Sequence, residues 1–149
     1  MNDKICFLVT EQQNKNSLNI DAIDTLEILK IMNTEDKKVA YAVEACLRDI
    51  ALAIDEIVLR MKKGGRLLYF GAGTSGRLAV LDAAECPPTF GTEPDLIQGI
   101  MAGGSDAFHI AQEDIEDIKE EGVAEVKRKG IAGYDTVIGL SASGRAAYV

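Results

Sequence analysis

This sequence of 149 residues is poor in the residue types that define several protein classes. It has no tryptophan, one histidine, three prolines and three cysteines, which are Cys6, Cys46 and Cys86. The cysteines are widely spaced, odd in number and without a CxxC pair, which argues against a disulfide framework or a zinc knuckle. We therefore expect three reduced thiols and no metal ion.

Positive charge and long apolar runs are also scarce. The chain has 16 Lys and Arg against 24 Asp and Glu, a net charge of −8, so it lacks the positive field that nucleic acids and anionic membranes require. The apolar runs have the length of strands, and residues 1–4 do not resemble the start of a signal peptide. With 47% hydrophobic and 27% charged residues, the composition predicts one globular, cytoplasmic domain.

The first part of the chain shows helical periodicity. Apolar residues three apart predict a helix over Asp21–Met32 with Asp21 as its cap, and a second helix starting at Asn33 or Thr34 and ending at Met61. One apolar face of the second helix should pack on a sheet or across a dimer; it comprises Val39, Val43, Cys46, Ile50, Ile54, Ile57, Val58 and Met61. We assign residues 1–34 to an arm and a helix, and 35–149 to the main domain.

The rest of the chain alternates strands and helices. Three short apolar segments read as strands: Arg66–Phe70, Leu96–Ala102 and Asp135–Leu140. Such alternation predicts an α/β fold with a parallel sheet and ligands at the carboxyl ends of the strands.

The predicted helices between these strands have clear start and stop signals. The first includes Leu78–Ala84 and should end at Pro87 and Pro88, since proline lacks an amide donor and restricts the residue before it. The second is a strongly acidic helix from Asp106 to about Lys129, capped by Ser105.

Two loops of small residues follow the first and third strands. The first loop, Gly71–Arg77, has the spacing GxGxxG, and the second loop, Ser141–Arg145, points at a helix start. A dinucleotide site also needs an acidic residue at the end of the next strand, but that strand ends in Gly103-Gly104, so we do not expect NAD or FAD.

The hydroxyl groups of the two loops favour an anion. Thr74 and Ser75 in the first loop, and Ser141 and Ser143 in the second, lie next to predicted helix N-termini, where N–H groups and the helix dipole attract phosphate. A single such loop is more often a tight turn with a capping serine. Two at the same sheet edge favour a phosphorylated small molecule.

These segments carry a family resemblance. The sequences GAGTSGR at 71–77, LDAAECPPTFG at 81–91, AGG at 102–104 and SASGRAAYV at 141–149, with LVTE at 8–11, TLEIL at 25–29 and NTED at 33–36, resemble the N-acetylmuramic acid 6-phosphate etherase family. The family core is a sugar isomerase (SIS) domain, which implies a three-layer αβα domain with a parallel sheet, here incomplete at the C-terminus because family chains continue past Val149. Family members carry Thr-Pro where this chain has Ala146-Ala147, and that threonine helps to bind phosphate.

The resemblance also implies roles for particular residues. It agrees with the phosphate site that we predict from the loops, which comprises Gly73, Thr74, Ser75, Ser141, Ser143 and Gly144. It places the two essential carboxylates at Glu85 and at Glu116, which we expect on the acidic helix. The resemblance leaves open which of them is the acid and which the base; we assign Glu85 as the acid and Glu116 as the base. We expect Glu85 in a partly desolvated turn near the strand edge, where burial would raise its pKa and suit it to protonate a leaving oxygen.

The implied reaction removes D-lactate from N-acetylmuramic acid 6-phosphate by elimination and adds water to give N-acetylglucosamine 6-phosphate. It implies no cofactor and a homodimer with the site at its interface. Two alternatives stay open: a phosphosugar-binding module or inactive fragment, as in glucokinase-regulatory relatives that bind phosphosugars without catalysis, and a phosphosugar isomerase. Thiol catalysis by Cys86 is disfavoured because His109, the sole histidine, has no orienting partner.

Overall fold

The computed structural model describes residues 9–112 and 114–149, so Cys6, residues 5–8 and Glu113 lie outside the described part. The helices are α1 (Thr25–Ala45), α2 (Leu47–Met61), α3 (Gly73–Phe90), α4 (Asp106–His109) and α5 (Lys119–Arg128). The strands are β1 (Leu67–Gly71), β2 (Ile97–Met101) and β3 (Thr136–Leu140), and short 3₁₀ turns cover Val9–Glu11, Lys15–Ser17 and Ile115–Asp117. The chain divides into two compact units, Met1–Ile54 and Asp55–Val149.

The first helix begins later and ends later than the sequence pattern predicted. Its cap is Asp24, whose carboxylate accepts a hydrogen bond from the Glu27 N–H at 3.0 Å, and not Asp21. The helix also continues through the predicted break. Within it the Thr34 hydroxyl donates to the Lys30 carbonyl at 2.7 Å and does not cap a helix. The break between α1 and α2 falls at Cys46 (φ −104°, ψ 1°).

The second unit is built on a parallel sheet in the order β2-β1-β3. The strands bear out the three predicted segments to within one residue at each end. Gly71, the last residue of β1, lies opposite Met101 of β2 and Leu140 of β3. All three strands therefore finish at the same level.

The two faces of the sheet are covered by different elements. On one face, a buried cluster combines strand residues with Tyr148; its members are Leu68, Phe70, Ile100, Ala102 and Tyr148. A groove beside this cluster is lined by α5, Phe70 and Val137, which places α5 on the same face. On the opposite face α3 packs so closely that a Cβ on Gly99 would lie 2.5 Å from the Val80 Cα. The sheet thus lies between helices, as expected of a three-layer αβα fold.

Arg66 and Asp135 clamp the amino ends of β1 and β3 together. The Asp135 carboxylate accepts bonds from Arg66 Nη2 (2.7 Å), Arg66 Nε (3.2 Å) and the Arg66 backbone N–H (2.7 Å). The hydrogen bonds from Arg66 hold the pKa of the Asp135 carboxyl well below its usual range, although burial acts the other way. This ion pair holds β1 and β3 together at the amino ends of the strands. The two loops of small residues follow the opposite, carboxyl ends of the same two strands.

The prediction that Pro87 and Pro88 end the third helix is wrong. Helix α3 runs through both prolines to Phe90 and ends at Gly91, whose left-handed φ of 68° closes the last turn through a bond from the Gly91 N–H to the Pro87 carbonyl at 2.8 Å. Proline has a helical φ, but inside a helix it removes the bond from its own nitrogen and its ring crowds the carbonyl four residues earlier. Burial of Ala83 and Cys86 in the same turns helps offset that cost.

The predicted long acidic helix is also wrong. It is divided into α4, the 3₁₀ turn Ile115–Asp117 and α5. Asp114 interrupts it with a φ of 66°, which no residue inside a right-handed helix adopts, and Ile115 packs against the core cluster instead. Ser105 makes no side-chain capping bond to α4. Among the described residues, no helix has both the length and the apolar character needed to cross a membrane.

Candidate functional site

The first loop is held by backbone packing against the sheet. A Cβ on Gly76 would lie 2.8 Å from the Gly71 carbonyl oxygen and 2.8 Å from Met101 Cγ, so α3 can start this close to β1 only with glycine there. Gly73 opens the helix with a left-handed φ of 54°. The N-cap is Ala72, which has no side-chain capping bond, so N–H groups of the first helical turn are available to an anion.

The second loop is held by its own serines. Ser141 Oγ accepts a hydrogen bond from the Gly144 N–H at 2.9 Å, and Ser143 Oγ accepts one from the Arg145 N–H at 3.4 Å. Both hydroxyl groups keep their proton to donate to a ligand. The predicted helix start after this loop is not found: the described residues 145–149 form a turn, closed by the Val149 N–H on the Ala146 carbonyl at 3.1 Å.

The sheet brings the two loops together. Because β1 and β3 are adjacent and parallel, with Gly71 opposite Leu140, the residues after each strand emerge side by side at the carboxyl edge. Thr74 is exposed and Ser75 is half-buried, while residues 141–144 are exposed. The six residues predicted to bind phosphate therefore share one edge and face solvent at least in part.

The backbone of Glu116 contacts the segment that follows the second loop, which the sequence did not predict. It is on the 3₁₀ turn Ile115–Asp117 and not on a long helix, and its side chain is exposed. The Glu116 carbonyl accepts a hydrogen bond from the Tyr148 N–H at 2.9 Å. This bond joins the turn that carries Glu116 to the segment just after Ser141–Arg145.

Glu85 is not brought to the loops within this chain. The expectation of a partly desolvated turn is wrong: Glu85 lies inside α3 with its side chain exposed. It follows Gly73 by 12 residues, or about 18 Å at the helical rise of 1.5 Å per residue. The strands beneath are five residues long, about 16 Å, so Glu85 is level with their opposite ends.

Cys86 and His109 do not form a nucleophile and base pair. The buried Cys86 thiol donates to the Asp82 carbonyl at 3.3 Å, and burial raises its pKa, which disfavours the reactive thiolate. His109 is exposed on α4, and its ring lies edge-on to the Phe108 ring with the two ring centroids 5.7 Å apart. No group of ligands suited to a metal ion occurs among the residues that the structure describes.

Two residues at the site's periphery were missed by the sequence analysis. Arg77, the last residue of the first loop, donates to the Ala107 carbonyl (2.7 Å) and the Phe108 carbonyl (3.1 Å), and so ties α4 to α3. Tyr148 is 4% exposed and joins the core cluster. The sequence signal for Tyr148 was an aromatic residue shortly after the second loop of small residues.

Comparison with known proteins bears out the resemblance. The chain is 58% identical over 142 residues to the N-acetylmuramic acid 6-phosphate etherase of Clostridium beijerinckii. It is 54% identical over the same length to the proteins of that name from Caldanaerobacter subterraneus and Clostridioides difficile. These matches cover 95% of this chain and 46–47% of the relatives, so the chain spans about half the length of the curated relatives it matches.

A family model covers the sheet and both loops. It is described as the glucokinase regulatory protein N-terminal SIS domain and matches residues 49–149, which include all three strands. The parallel sheet between helices and the paired loops at its carboxyl edge agree with that match. The chain therefore belongs to this SIS-domain family.

Proposed function

We propose that this chain is the phosphosugar-binding part of an N-acetylmuramic acid 6-phosphate etherase. The observation that carries the proposal is the pairing of the two loops at one sheet edge, with Gly71 opposite Leu140. The relatives named as etherases match 95% of the chain, and the family model that matches residues 49–149 includes both loops. In domain terms, residues 35–149 form part of the SIS domain and 1–34 an arm and a helix.

The phosphate is bound between the loops. The N–H groups at the start of α3 and the hydroxyls of Ser75, Ser141 and Ser143 donate to its oxygens, with Gly73, Thr74 and Gly144 shaping the approach. The donors in this set are neutral, and residues 71–76 of the first loop include no lysine or arginine. Neutral donors give directed bonds to a doubly charged phosphate while the helix dipole supplies the favourable potential.

Two carboxylates carry out the chemistry. Glu116 removes the proton next to the ring-opened carbonyl, and the ether bond to lactate breaks to leave a double bond. Glu85 protonates the departing ether oxygen. Its carboxylate then takes a proton from the water whose oxygen adds to the double bond, while Glu116 returns its proton to the carbon next to the carbonyl. Protons and electrons balance over the two steps, and we assign no cofactor.

Glu85 reaches this site from a second copy of the chain. Within one chain it lies about 18 Å of helix from Gly73 and is exposed, so a homodimer that brings α3 of one copy to the loops of the other would complete the site. Exposed apolar side chains on α1 and the first part of α2 are suited to such an interface; they include Val39, Val43, Ile50 and Ile54.

The protein acts in the cytoplasm, in amino sugar catabolism and peptidoglycan recycling.

Release of D-lactate tests the proposal. The purified chain is incubated with N-acetylmuramic acid 6-phosphate, and lactate is measured for the unchanged chain, Glu116→Gln and Glu85→Gln. We expect both variants to abolish release while N-acetylglucosamine 6-phosphate binds within a few-fold of the unchanged chain, because neither side chain holds the phosphate. Analytical ultracentrifugation should show a dimer; a stable monomer that releases lactate contradicts the placement of Glu85.

A binding module without catalysis is the second candidate. The description of the matching family model as part of a regulatory protein and the distance of Glu85 from the loops favour it. In the same experiment it predicts binding of N-acetylglucosamine 6-phosphate with no lactate from any version of the chain. Interconversion of hexose phosphates would instead indicate an isomerase.

A further inference from the structure

Tyr148 connects three parts of the second unit that meet behind the second loop. Its ring is 4% exposed and lies against the Phe70 ring of β1, with centroids 6.3 Å apart. Its backbone lies against α5 at Gly122, where a Cβ would collide with the Tyr148 carbonyl oxygen. Its N–H donates to the Glu116 carbonyl at 2.9 Å. Tyr148 is thus fixed by the sheet and by α5, and it in turn holds the turn that bears Glu116.

The turn Ile115–Asp117 is weakly held by its own hydrogen bonds. Its internal bonds are long, from the Asp117 N–H to Asp114 O at 3.2 Å and from the Ile118 N–H to Ile115 O at 3.3 Å. Asp114 enters it in a left-handed conformation with a φ of 66°, which costs free energy that surrounding contacts must offset. The Ile115 side chain against the core is one such contact, and the bond from the Tyr148 N–H is another.

We propose that Tyr148 is a positioning residue that sets Glu116 beside the second loop. The inference rests on the proposed function in treating Glu116 as the base, whereas the mechanical link rests on the contacts alone. Tyr148 follows Gly144 by four residues, so the chain that leaves the phosphate loop is the chain that fixes the Glu116 turn. A phosphosugar held by Ser141 and Ser143 therefore lies at a defined distance from Glu116.

The hydroxyl of Tyr148 has no part in this role. Its oxygen is buried and without a hydrogen-bond partner among the described residues. Tyr148→Phe keeps the ring and the N–H group and should preserve the position of Glu116, whereas Tyr148→Ala removes the anchoring ring. Gly122→Ala disturbs the same contact from α5 without changing Tyr148, and it serves as an independent variant.

Amide hydrogen exchange in the full 149-residue chain tests the link. The readout is the protection of the Asp117 and Ile118 amides divided by that of Ala102, whose N–H bonds to Gly71 in the sheet at 3.0 Å. The matched control is Leu67→Ala, which truncates a buried side chain (7% exposed) on the other face of the sheet. A loss of global stability that leaves the turn in place lowers the protection of Ala102 in the sheet and leaves local opening of the turn unaffected, so it cannot by itself lower the ratio.

We expect the ratio to fall by about 2- to 10-fold in Tyr148→Ala and in Gly122→Ala, the factor that corresponds to one backbone hydrogen bond. It should stay unchanged in Tyr148→Phe and should not fall in Leu67→Ala. An unchanged ratio in both Tyr148→Ala and Gly122→Ala overturns the proposal, since the turn would then hold itself.

The catalytic consequence is measured separately. In the lactate assay, Tyr148→Ala should lower kcat while KM stays within a few-fold, and Tyr148→Phe should match the unchanged chain. Equal kcat in Tyr148→Ala and the unchanged chain overturns the positioning role even if the exchange ratio falls. An unchanged chain that neither binds N-acetylglucosamine 6-phosphate nor releases lactate overturns the proposed function, and the exchange ratio then still decides whether Tyr148 holds the turn.

Discussion

The two loops of small residues have similar compositions but are fixed by different forces. The first loop is part of the packed interface between β1 and α3, where Gly71 and Gly76 bring backbone against backbone. The second loop is exposed and held by hydrogen bonds from its own N–H groups to Ser141 and Ser143. The same residue types therefore serve close packing in one loop and local hydrogen bonding in the other. The two loops should therefore respond differently to substitution.

The largest effect is expected where the strands of both loops are joined. Asp135→Asn removes the charge that pairs with Arg66 at 2.7 Å, and the Asp135 side chain is 5% exposed. Breaking a fully buried pair costs about 3–5 kcal/mol; because the Arg66 side chain is 29% exposed, we expect a loss at the lower end, about 3 kcal/mol, which chemical denaturation should measure. The matched control is Glu27→Gln in the exposed Lys30–Glu27 pair, which should change stability by less than about 0.5 kcal/mol.

The Asp135 pair also predicts a pH dependence. Because its pKa is lowered in the folded chain, the stabilisation is fully present above the ordinary carboxyl pKa of about 4 and is lost as the pH falls below it. The unfolding free energies of the unchanged chain and Asp135→Asn should therefore converge with acidification from pH 6 to pH 2. Parallel curves would show that the carboxylate does not contribute through its charge.

The phosphate-binding role of the loops is tested one hydroxyl at a time. Ser75→Ala and Ser143→Ala should each weaken binding of N-acetylglucosamine 6-phosphate by about 10- to 150-fold, the value of a hydrogen bond to a charged group at 1.5–3 kcal/mol. Ser105→Ala, a serine after β2 with no side-chain capping bond, is the control and should leave affinity unchanged. If Ser143→Ala alone has no effect in calorimetry, its hydroxyl serves only the Arg145 N–H and the second loop is a structural turn.

A methyl group should be costly in the first loop because of packing. In Gly76→Ala the new Cβ meets the Gly71 carbonyl and Met101 Cγ, both at 2.8 Å, which should destabilise the chain by about 1–3 kcal/mol. Gly133→Ala is the control, because nothing lies within 4 Å of its Cβ position. Equal melting temperatures for the two variants would mean that α3 can move away from β1.

The smallest effect is expected for a methyl group in the second loop. Gly144 has a φ of 68° and open space around its Cβ position, so Gly144→Ala should cost only about 1 kcal/mol, from the left-handed conformation. Gly144→Asn should cost less, since asparagine adopts this conformation more readily. A loss as large as that of Gly76→Ala would show that the second loop is also packed.

The sequence predicted the sheet better than it predicted the ends of the helices. The three strands are short apolar runs next to glycine, and that local signal places them within one residue. The helix ends depend on contacts between distant residues: the burial of Ala83 and Cys86 carries α3 through two prolines, and the packing of Ile115 on the core interrupts the acidic helix. Periodicity and capping rules cannot include those contacts.

The sequence by itself determined the family, the alternation of strands and helices, and the two loops with their hydroxyl groups, because each is written in a continuous run of residues. Tertiary structure alone decided that Glu116 is tied to Tyr148, 32 residues further along the chain, and that Glu85 lies far from the loops along α3. Both depend on how parallel strands and the helices between them are stacked. That arrangement is set by burial of the sheet's two faces, which no local pattern specifies.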